Sequence, residues 1–232
     1  EPFLRLFNQG TIIYQGAKMS KSRGNVIAPD DYVSLVGADT VRTYLMFIGP
    51  WEQGGEWNDS GINGATRWLN RVWDVSELPL ESTTQKSDPD TEKKLLRLLH
   101  KTIKKVGEDI DNFKYNTAIS GLMEFTNALS EANTREKTSS VVWKDLTNKL
   151  YLMMSPIVPH LAEELWSKNL NEFSVHNQSW PEFDQDIAKD DEITLIIQIN
   201  GKVRDKIITS PQIDEEEAKK MALNSVKVKS HI

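Results

Sequence analysis

Hydrophobic positions in the middle of the chain recur with the period of an α-helix. The clearest stripe has spacings of four and three and consists of Leu95, Leu99, Ile103, Val106 and Ile110. Such a stripe is typical of a helix that turns one face toward a core. Further helices are predicted at residues 116–129, 141–155 and 160–170. The pattern therefore predicts an antiparallel helical bundle over residues 79–171, which opens with a polar linker at 79–91.

The first fifty residues combine short strands with helices. Residues 11–15 (TIIYQ) are typical of a strand, and residues 16–24 are predicted to form a loop between two glycines. Pro29, with two acids behind it, predicts the start of a helix that ends at Gly37. A second helix follows and is predicted to end at Gly49, which precedes a proline.

The segment between these helices and the bundle is rich in glycine and tryptophan. Residues 51–59 are predicted to be a loop. Asp59 or Ser60 is expected to cap a helix over residues 62–75, because both side chains can accept a hydrogen bond from a free helix N–H.

After the bundle the pattern changes to that of strands. Residues 172–192 are predicted to be an irregular, acid-rich linker. Two strands then flank Asn200-Gly201, a strong hairpin signal, and Asp214 is expected to cap a last helix. One hairpin with one helix is marginally stable, so this α+β module is expected to be truncated.

Composition excludes several classes of protein. The 232 residues carry a net charge of -6, which argues against a protein that is basic throughout but leaves room for local basic patches. The absence of cysteine excludes disulfides and thiolate metal sites, and the four histidines have no zinc spacing. No apolar run approaches the roughly 20 residues of a membrane span, and no signal peptide is visible. A cytoplasmic protein without a membrane segment is expected.

One short stretch concentrates positive charge. Residues 16–25 (GAKMSKSRGN) hold three cations, two serines and no acid. The plain interpretation is a solvated polar turn. The alternative is a loop whose cations lack a partner until a negatively charged substrate arrives. Lys18, Met19, Ser20, Lys21 and Ser22 spell KMSKS, and this motif favours the second interpretation.

The KMSKS motif resembles the signature of class I aminoacyl-tRNA synthetases. The resemblance continues through residues 18–47 and 154–166, which are similar to the subgroup for large aliphatic amino acids and methionine. Residues 49–73 and 197–207 resemble the leucyl-tRNA synthetases of bacteria in particular. The chain therefore resembles that family over nearly all of its length. Arg23 stands where lysine is common, a change that keeps the charge.

The resemblance implies a mainly α chain that begins with the end of a Rossmann-type catalytic domain. The implied divisions are the catalytic end at 1–50, a connecting module at 51–78, the tRNA-binding bundle at 79–171, the linker at 172–192 and a truncated C-terminal domain at 193–232. Class I sites also need a His-x-Gly-His element, and no two histidines here have that spacing. The resemblance implies that this element and the editing domain lie upstream, so the chain alone should be inactive.

The implied activity is leucine–tRNA ligation, with ATP, Mg²⁺ bound largely through ATP, leucine and tRNA(Leu) as ligands of a monomeric enzyme. All five residues from Lys18 to Ser22 are expected to bind ATP, with Lys21 as the main transition-state cation and Lys18 assisting. Negative charge grows on pyrophosphate as it leaves, and a mobile loop with two ammonium groups stabilises that charge more than the ground state.

Other cations are weaker candidates for tRNA contact. They are Arg67, Arg71, Arg97, Lys101, Lys202, Arg204 and Lys206. The first two can instead pair with nearby acids, and the next two lie on what is ordinarily a solvated helix face. Strand alternation predicts that the last three share one face, where edge protection by charge is the plain alternative.

The sequence leaves two rival functions open. One is a methionyl-, valyl- or isoleucyl-tRNA synthetase fragment, against which residues 57–73 and the Asn200-Gly201 hairpin speak. The other is a stand-alone tRNA-binding or scaffold protein that kept the loop as a relic.

Overall fold

The structure is a computed structural model that describes residues 2–4, 6–78, 87–131, 134–189, 193–210 and 212–230. These residues form two compact units, divided between Ala188 and Lys189. The chain is mostly helical, which confirms the predicted class. Within the described part of the chain, no helix has both the length and the apolar character needed to cross a membrane.

The first unit begins with a small three-stranded sheet in the order β2–β1–β3. Its strands are β1 (Thr11–Tyr14), β2 (Ala17–Lys18) and β3 (Gly54–Glu56). The first two are antiparallel, and β3 runs parallel to β1. The loop predicted at 16–24 thus contains a short strand, and the loop predicted at 51–59 contains β3. Gly-Gly-Glu includes no residue that favours strands, so its pairing with β1 is what makes it extended.

Two α-helices lie between β2 and β3 along the chain, and a third follows β3. They are α1 (Pro29–Val36), α2 (Ala38–Phe47) and α3 (Ile62–Ser76). The predicted boundaries at Pro29 and Gly37 are confirmed. The predicted cap of α3 is wrong, because Gly61 is the N-cap residue and no side chain caps there. The carboxylate of Asp59 instead accepts a 2.8 Å hydrogen bond from the indole N–H of Trp57.

Four further helices follow and share one hydrophobic core with α3. They are α4 (Pro89–Asp111), α5 (Tyr115–Leu129), α6 (Ser140–Met154) and α7 (Pro159–Lys168). The predicted stripe of α4 is confirmed, since Leu99, Ile103 and Val106 are at most 1% exposed. The linker predicted at 79–91 differs in part: Asp88 caps α4 and Pro89 begins it, while residues 79–86 lie outside the described residues.

The segment after α7 packs onto the bundle. Residues 175–177 form one 3-10 turn, and α8 spans Gln185–Ala188. Val175 is 2% exposed and belongs to the core. The backbone N–H of Asp184 donates to Nδ1 of His100 at 2.9 Å. Most of the linker predicted at 172–192 therefore belongs to the first unit.

The second unit is a hairpin followed by two helices. Its elements are β4 (Ile193–Ile199), β5 (Lys202–Thr209), α9 (Glu215–Asn224) and α10 (Val226–Lys229). The predicted turn is confirmed, and both Asn200 and Gly201 have positive φ, at 51° and 74°. Asp214 caps α9 as predicted, accepting from the N–H of Glu217 at 2.8 Å. The short helix α10 was not predicted.

Candidate functional site

The KMSKS residues extend from the β1–β2 hairpin. The turn of that hairpin is Gln15-Gly16, and both residues have positive φ, at 54° and 69°. At the second position glycine adopts this conformation without strain. Lys18 ends β2 and pairs with Ile13. Residues Lys21–Arg23 form a 3-10 turn, and Gly24, at φ 67°, turns the chain away from it. The motif is therefore a folded loop with a hairpin at its base and an exposed tip.

Hydrogen bonds from side chains hold this loop in shape. The hydroxyls of Ser20 and Ser22 lie 2.8 Å apart. The carboxylate of Glu56 accepts from the N–H of Gly16 at 2.8 Å, which ties β3 to the hairpin turn. The Asn25 amide contacts the backbone of the loop and of both strands. Glu56 and Asn25 were not predicted, because an isolated polar residue that binds backbone leaves no periodic signal.

The three cations of the loop project into solvent. Lys18, Lys21 and Arg23 are all exposed. Across the described ranges, no acidic side chain lies within ion-pair distance of any of them. The two hydroxyls add hydrogen-bond donors beside these charges. Such a set of groups fits a phosphate-bearing ligand.

Met19 connects the loop to a small hydrophobic cluster beneath it. The centre of the cluster consists of Val41, Tyr44, Trp57, Ile62 and Ala65, and Met19 and Tyr32 pack against it. Tyr32 donates its phenolic proton to Asp59. This bond raises the pKa of Tyr32 and, together with the bond from Trp57, lowers the pKa of Asp59. The loop therefore rests on a cluster fixed by a polar network.

Helix α2 joins this cluster to the bundle through two charged residues. The Arg42 guanidinium donates to the carbonyl oxygens of Ile157 and Pro156, each at 3.0 Å. The Asp39 carboxylate accepts from the N–H of Leu161 at 2.7 Å and lies 2.9 Å from Nδ1 of His160. Neither residue was predicted to have a role, because their partners are more than 110 positions away along the chain.

The four bundle-side cations proposed to contact tRNA lie in different surroundings. Arg67 and Arg71 are exposed on α3, one turn apart, and Arg71 donates to the side-chain oxygen of Asn127. Arg97 and Lys101 on α4 are half-buried, and each is engaged in an intramolecular interaction. Arg67 and Arg71 are therefore the more accessible pair.

The three cations of β5 do not share one face, which corrects the prediction. Val203 pairs with Gln198 and Asp205 with Ile197, so Arg204 is an extra residue in a β-bulge. A bulge shifts the alternation by one residue. The register then places Lys202 on the face of Asp205 and Ile207, and Lys206 on the opposite face with Val203 and Ile208. Period-two counting failed because it assumed a regular strand.

Sequence models of two protein families match the chain. The anticodon-binding domain of tRNA ligase matches residues 92–219, and the class I tRNA synthetases for I, L, M and V match residues 1–56. The first match covers more than half of the chain. The chain belongs to the family of tRNA ligases that carry this anticodon-binding domain.

Within that family the chain is similar to proteins named leucine–tRNA ligase. It is 50% identical to the one from Dehalococcoides mccartyi over the whole chain and 48% identical to the one from Herpetosiphon aurantiacus over 98% of the chain. It spans 28% of the length of each. These similarities confirm the predicted relationship to leucyl-tRNA synthetases.

A solved structure supports the same relationship. The crystal structure of the ternary complex of Agrobacterium radiobacter K84 agnB2 LeuRS, tRNA and LeuAMS matches with a TM-score of 0.82 at 31% identity. The match covers all of this chain and 31% of that protein. The likeness therefore extends from sequence to fold along the whole chain.

Proposed function

We propose that this chain is part of a leucine–tRNA ligase, in which it supplies the KMSKS loop and segments that contact tRNA. The observation that carries the proposal is the exposed loop of Lys18, Lys21 and Arg23, which has no acidic partner in the described residues and is held on a hydrogen-bonded hairpin. Relatives named for this activity align over the entire chain.

The loop would act on ATP during leucine activation. The leucine carboxylate attacks the α-phosphate, leucyl-adenylate forms and pyrophosphate leaves. Lys21, assisted by Lys18, would stabilise the charge that develops on the leaving group. The backbone of Met19 and the hydroxyls of Ser20 and Ser22 would complete the binding of the phosphates. Mg²⁺ would be bound largely through ATP, whose phosphate oxygens are the hard ligands it prefers.

Each segment of the chain has a proposed role in the enzyme. Residues 1–50 would be the end of a Rossmann-type catalytic domain, 51–78 a connecting module and 79–171 the tRNA-binding bundle. Residues 172–192, most of which pack onto the bundle, would connect it to a C-terminal domain at 193–232 that contacts tRNA(Leu). A solved relative at 31% identity that is bound to tRNA supports this assignment. The enzyme would be a cytoplasmic monomer.

The proposal is tested by the amino-acid dependence of ATP–pyrophosphate exchange. A protein of the relatives' full length that contains this chain should exchange with leucine and not with methionine, valine or isoleucine. It should then charge tRNA(Leu). Exchange that depends on one of the other three amino acids would favour the rival synthetases.

The second rival is a stand-alone tRNA-binding or scaffold protein. The purified chain of 232 residues is expected to fold. Because it contains no His-x-Gly-His element, it should show only background exchange. Full-length protein that binds tRNA(Leu) but exchanges with no amino acid would favour the scaffold. Leucine-dependent exchange by the 232 residues alone would contradict the proposed division of the active site.

A further inference from the structure

Asn25 follows the cationic loop and binds backbone groups on three sides of it. Its Oδ1 accepts from the N–H of Ser20 at 2.8 Å. Its Nδ2 donates to the carbonyl oxygen of Lys18 at 3.3 Å and to that of Tyr14 at 3.4 Å. A single half-buried amide therefore joins the end of β1, the end of β2 and the start of the KMSKS tip.

The loop needs this support because the hairpin beneath it is short. Strand β2 is an edge strand that joins the sheet through only two residue pairs with β1, so few backbone hydrogen bonds fix the base of the loop. Glu56 holds the hairpin at its turn, on the opposite end from the loop tip. The hydrogen bonds inside the tip run from Arg23 to Ser20 and from Gly24 to Lys21, so they join tip residues only to one another.

We propose that Asn25 is a positioning residue for leucine activation. It fixes the peptide groups of Lys18 and Ser20, and so sets where the ammonium groups of Lys18 and Lys21 meet the phosphates of ATP. This inference rests on the proposed function of the loop. Asn25 itself touches the backbone and acts through the lysines. Its contribution is to pre-organise charges that are useful only if they lie within a fraction of an ångström of the leaving group.

The test uses the full-length ligase and the substitution Asn25→Ala, which removes all three hydrogen bonds. Displacing a reacting group by about 1 Å can cost on the order of 10²-fold in rate, so kcat for leucine-dependent exchange should fall by roughly 10- to 100-fold. The KM for leucine should not change. Transfer from preformed leucyl-adenylate to tRNA should proceed at the wild-type rate, because pyrophosphate has already left. Asn63→Ala, on the exposed surface of α3, is the matched control.

A double-mutant cycle with Lys21→Ala separates positioning from folding. If Asn25 acts through the lysines, the loss in the double variant should be clearly smaller than the product of the two single losses, since residues that share one effect are not additive. Multiplied losses, or equal losses in exchange and in transfer, would assign Asn25 to the stability of the fold and overturn the proposal. A wild-type rate for Asn25→Ala would overturn it too.

The same cycle distinguishes this inference from the proposed function on which it rests. Slow exchange in Lys21→Ala with normal exchange in Asn25→Ala would reject only the role of Asn25. Normal exchange in Lys21→Ala would reject the role of the loop in activation, and the role of Asn25 with it.

Discussion

Asp39 supplies a helix cap to Leu161, which lies 122 positions further along the chain. Its carboxylate accepts from the backbone N–H of Leu161 at 2.7 Å. Leu161 is the third residue of α7, and the N-cap residue of that helix, Val158, offers no side-chain hydrogen bond. A residue of α2 thus performs for α7 what an N-cap serine or aspartate performs locally.

This cap predicts a specific loss of stability. Asp39→Ala leaves the N–H of Leu161 without its partner, so the free energy of unfolding should fall by about 1–3 kcal/mol. Asp39→Asn keeps an acceptor and should lose less. Urea unfolding of the chain measures both, with Asp74→Ala on the exposed side of α3 as a control. Equal losses in Ala and Asn variants would contradict the capping role.

His100 predicts how stability depends on pH. Its Nδ1 accepts from the N–H of Asp184, so the folded state holds a neutral ring with its proton on Nε2. Burial, with a smaller effect from the charge of Lys149, lowers its pKa below the ordinary value of 6.5. The unfolded chain therefore takes up a proton more readily than the folded chain as the pH falls.

The stability contributed by His100 is complete above pH 6.5 and is lost as the pH falls through the lower folded-state pKa. The melting temperature of the wild-type chain should therefore drop more between pH 7.5 and pH 5 than that of His100→Gln, which cannot protonate. Identical pH profiles would show that His100 does not titrate as described, as would an NMR titration midpoint above 6.5.

The bulge at Arg204 predicts that the cations of β5 contribute unequally to tRNA binding. Lys202 and Lys206 lie on opposite faces of the hairpin, so one RNA surface cannot cover both. In the full-length ligase, only one of Lys202→Ala and Lys206→Ala should flatten the salt dependence of binding. The slope of log K against log salt should fall by about 0.9 for one lost phosphate contact on duplex RNA, taking the value known for B-DNA.

Lys220→Ala, an exposed cation of α9, is the control for a change in net charge alone. Equal flattening by Lys202→Ala and Lys206→Ala would contradict the bulged register. No effect from either would leave these cations as protection of the sheet edge.

Periodicity and local signals predicted most of the helices but little of what joins them. The stripe from Leu95 to Ile110 and the Asn200-Gly201 turn each depend on neighbours in sequence, so both were visible. Strand β3 was not visible, because its extended form depends on pairing with β1. The bulge at Arg204 was not visible either, since it appears only in the register between two strands.

The candidate site was predictable to the same extent. Lys18 and Lys21 were singled out because unpaired charge in a short motif is conspicuous in sequence. Asn25 and Asp39 were missed because their function is to bind backbone groups, and an amide or carboxylate that does so looks like any polar residue. Sequence thus revealed the charges of the loop, and the structure revealed what holds them.

The central claim is that the loop of this chain acts on ATP during leucine activation, and Lys21→Ala tests it most directly. Loss of one pre-organised charge at a developing anion costs about 3 kcal/mol, or on the order of 10²-fold in rate. Leucine-dependent ATP–pyrophosphate exchange by the full-length ligase should slow by that factor, with leucine binding unchanged and Lys94→Ala, an exposed lysine of α4, at the wild-type rate. An unchanged exchange rate in Lys21→Ala would contradict the claim.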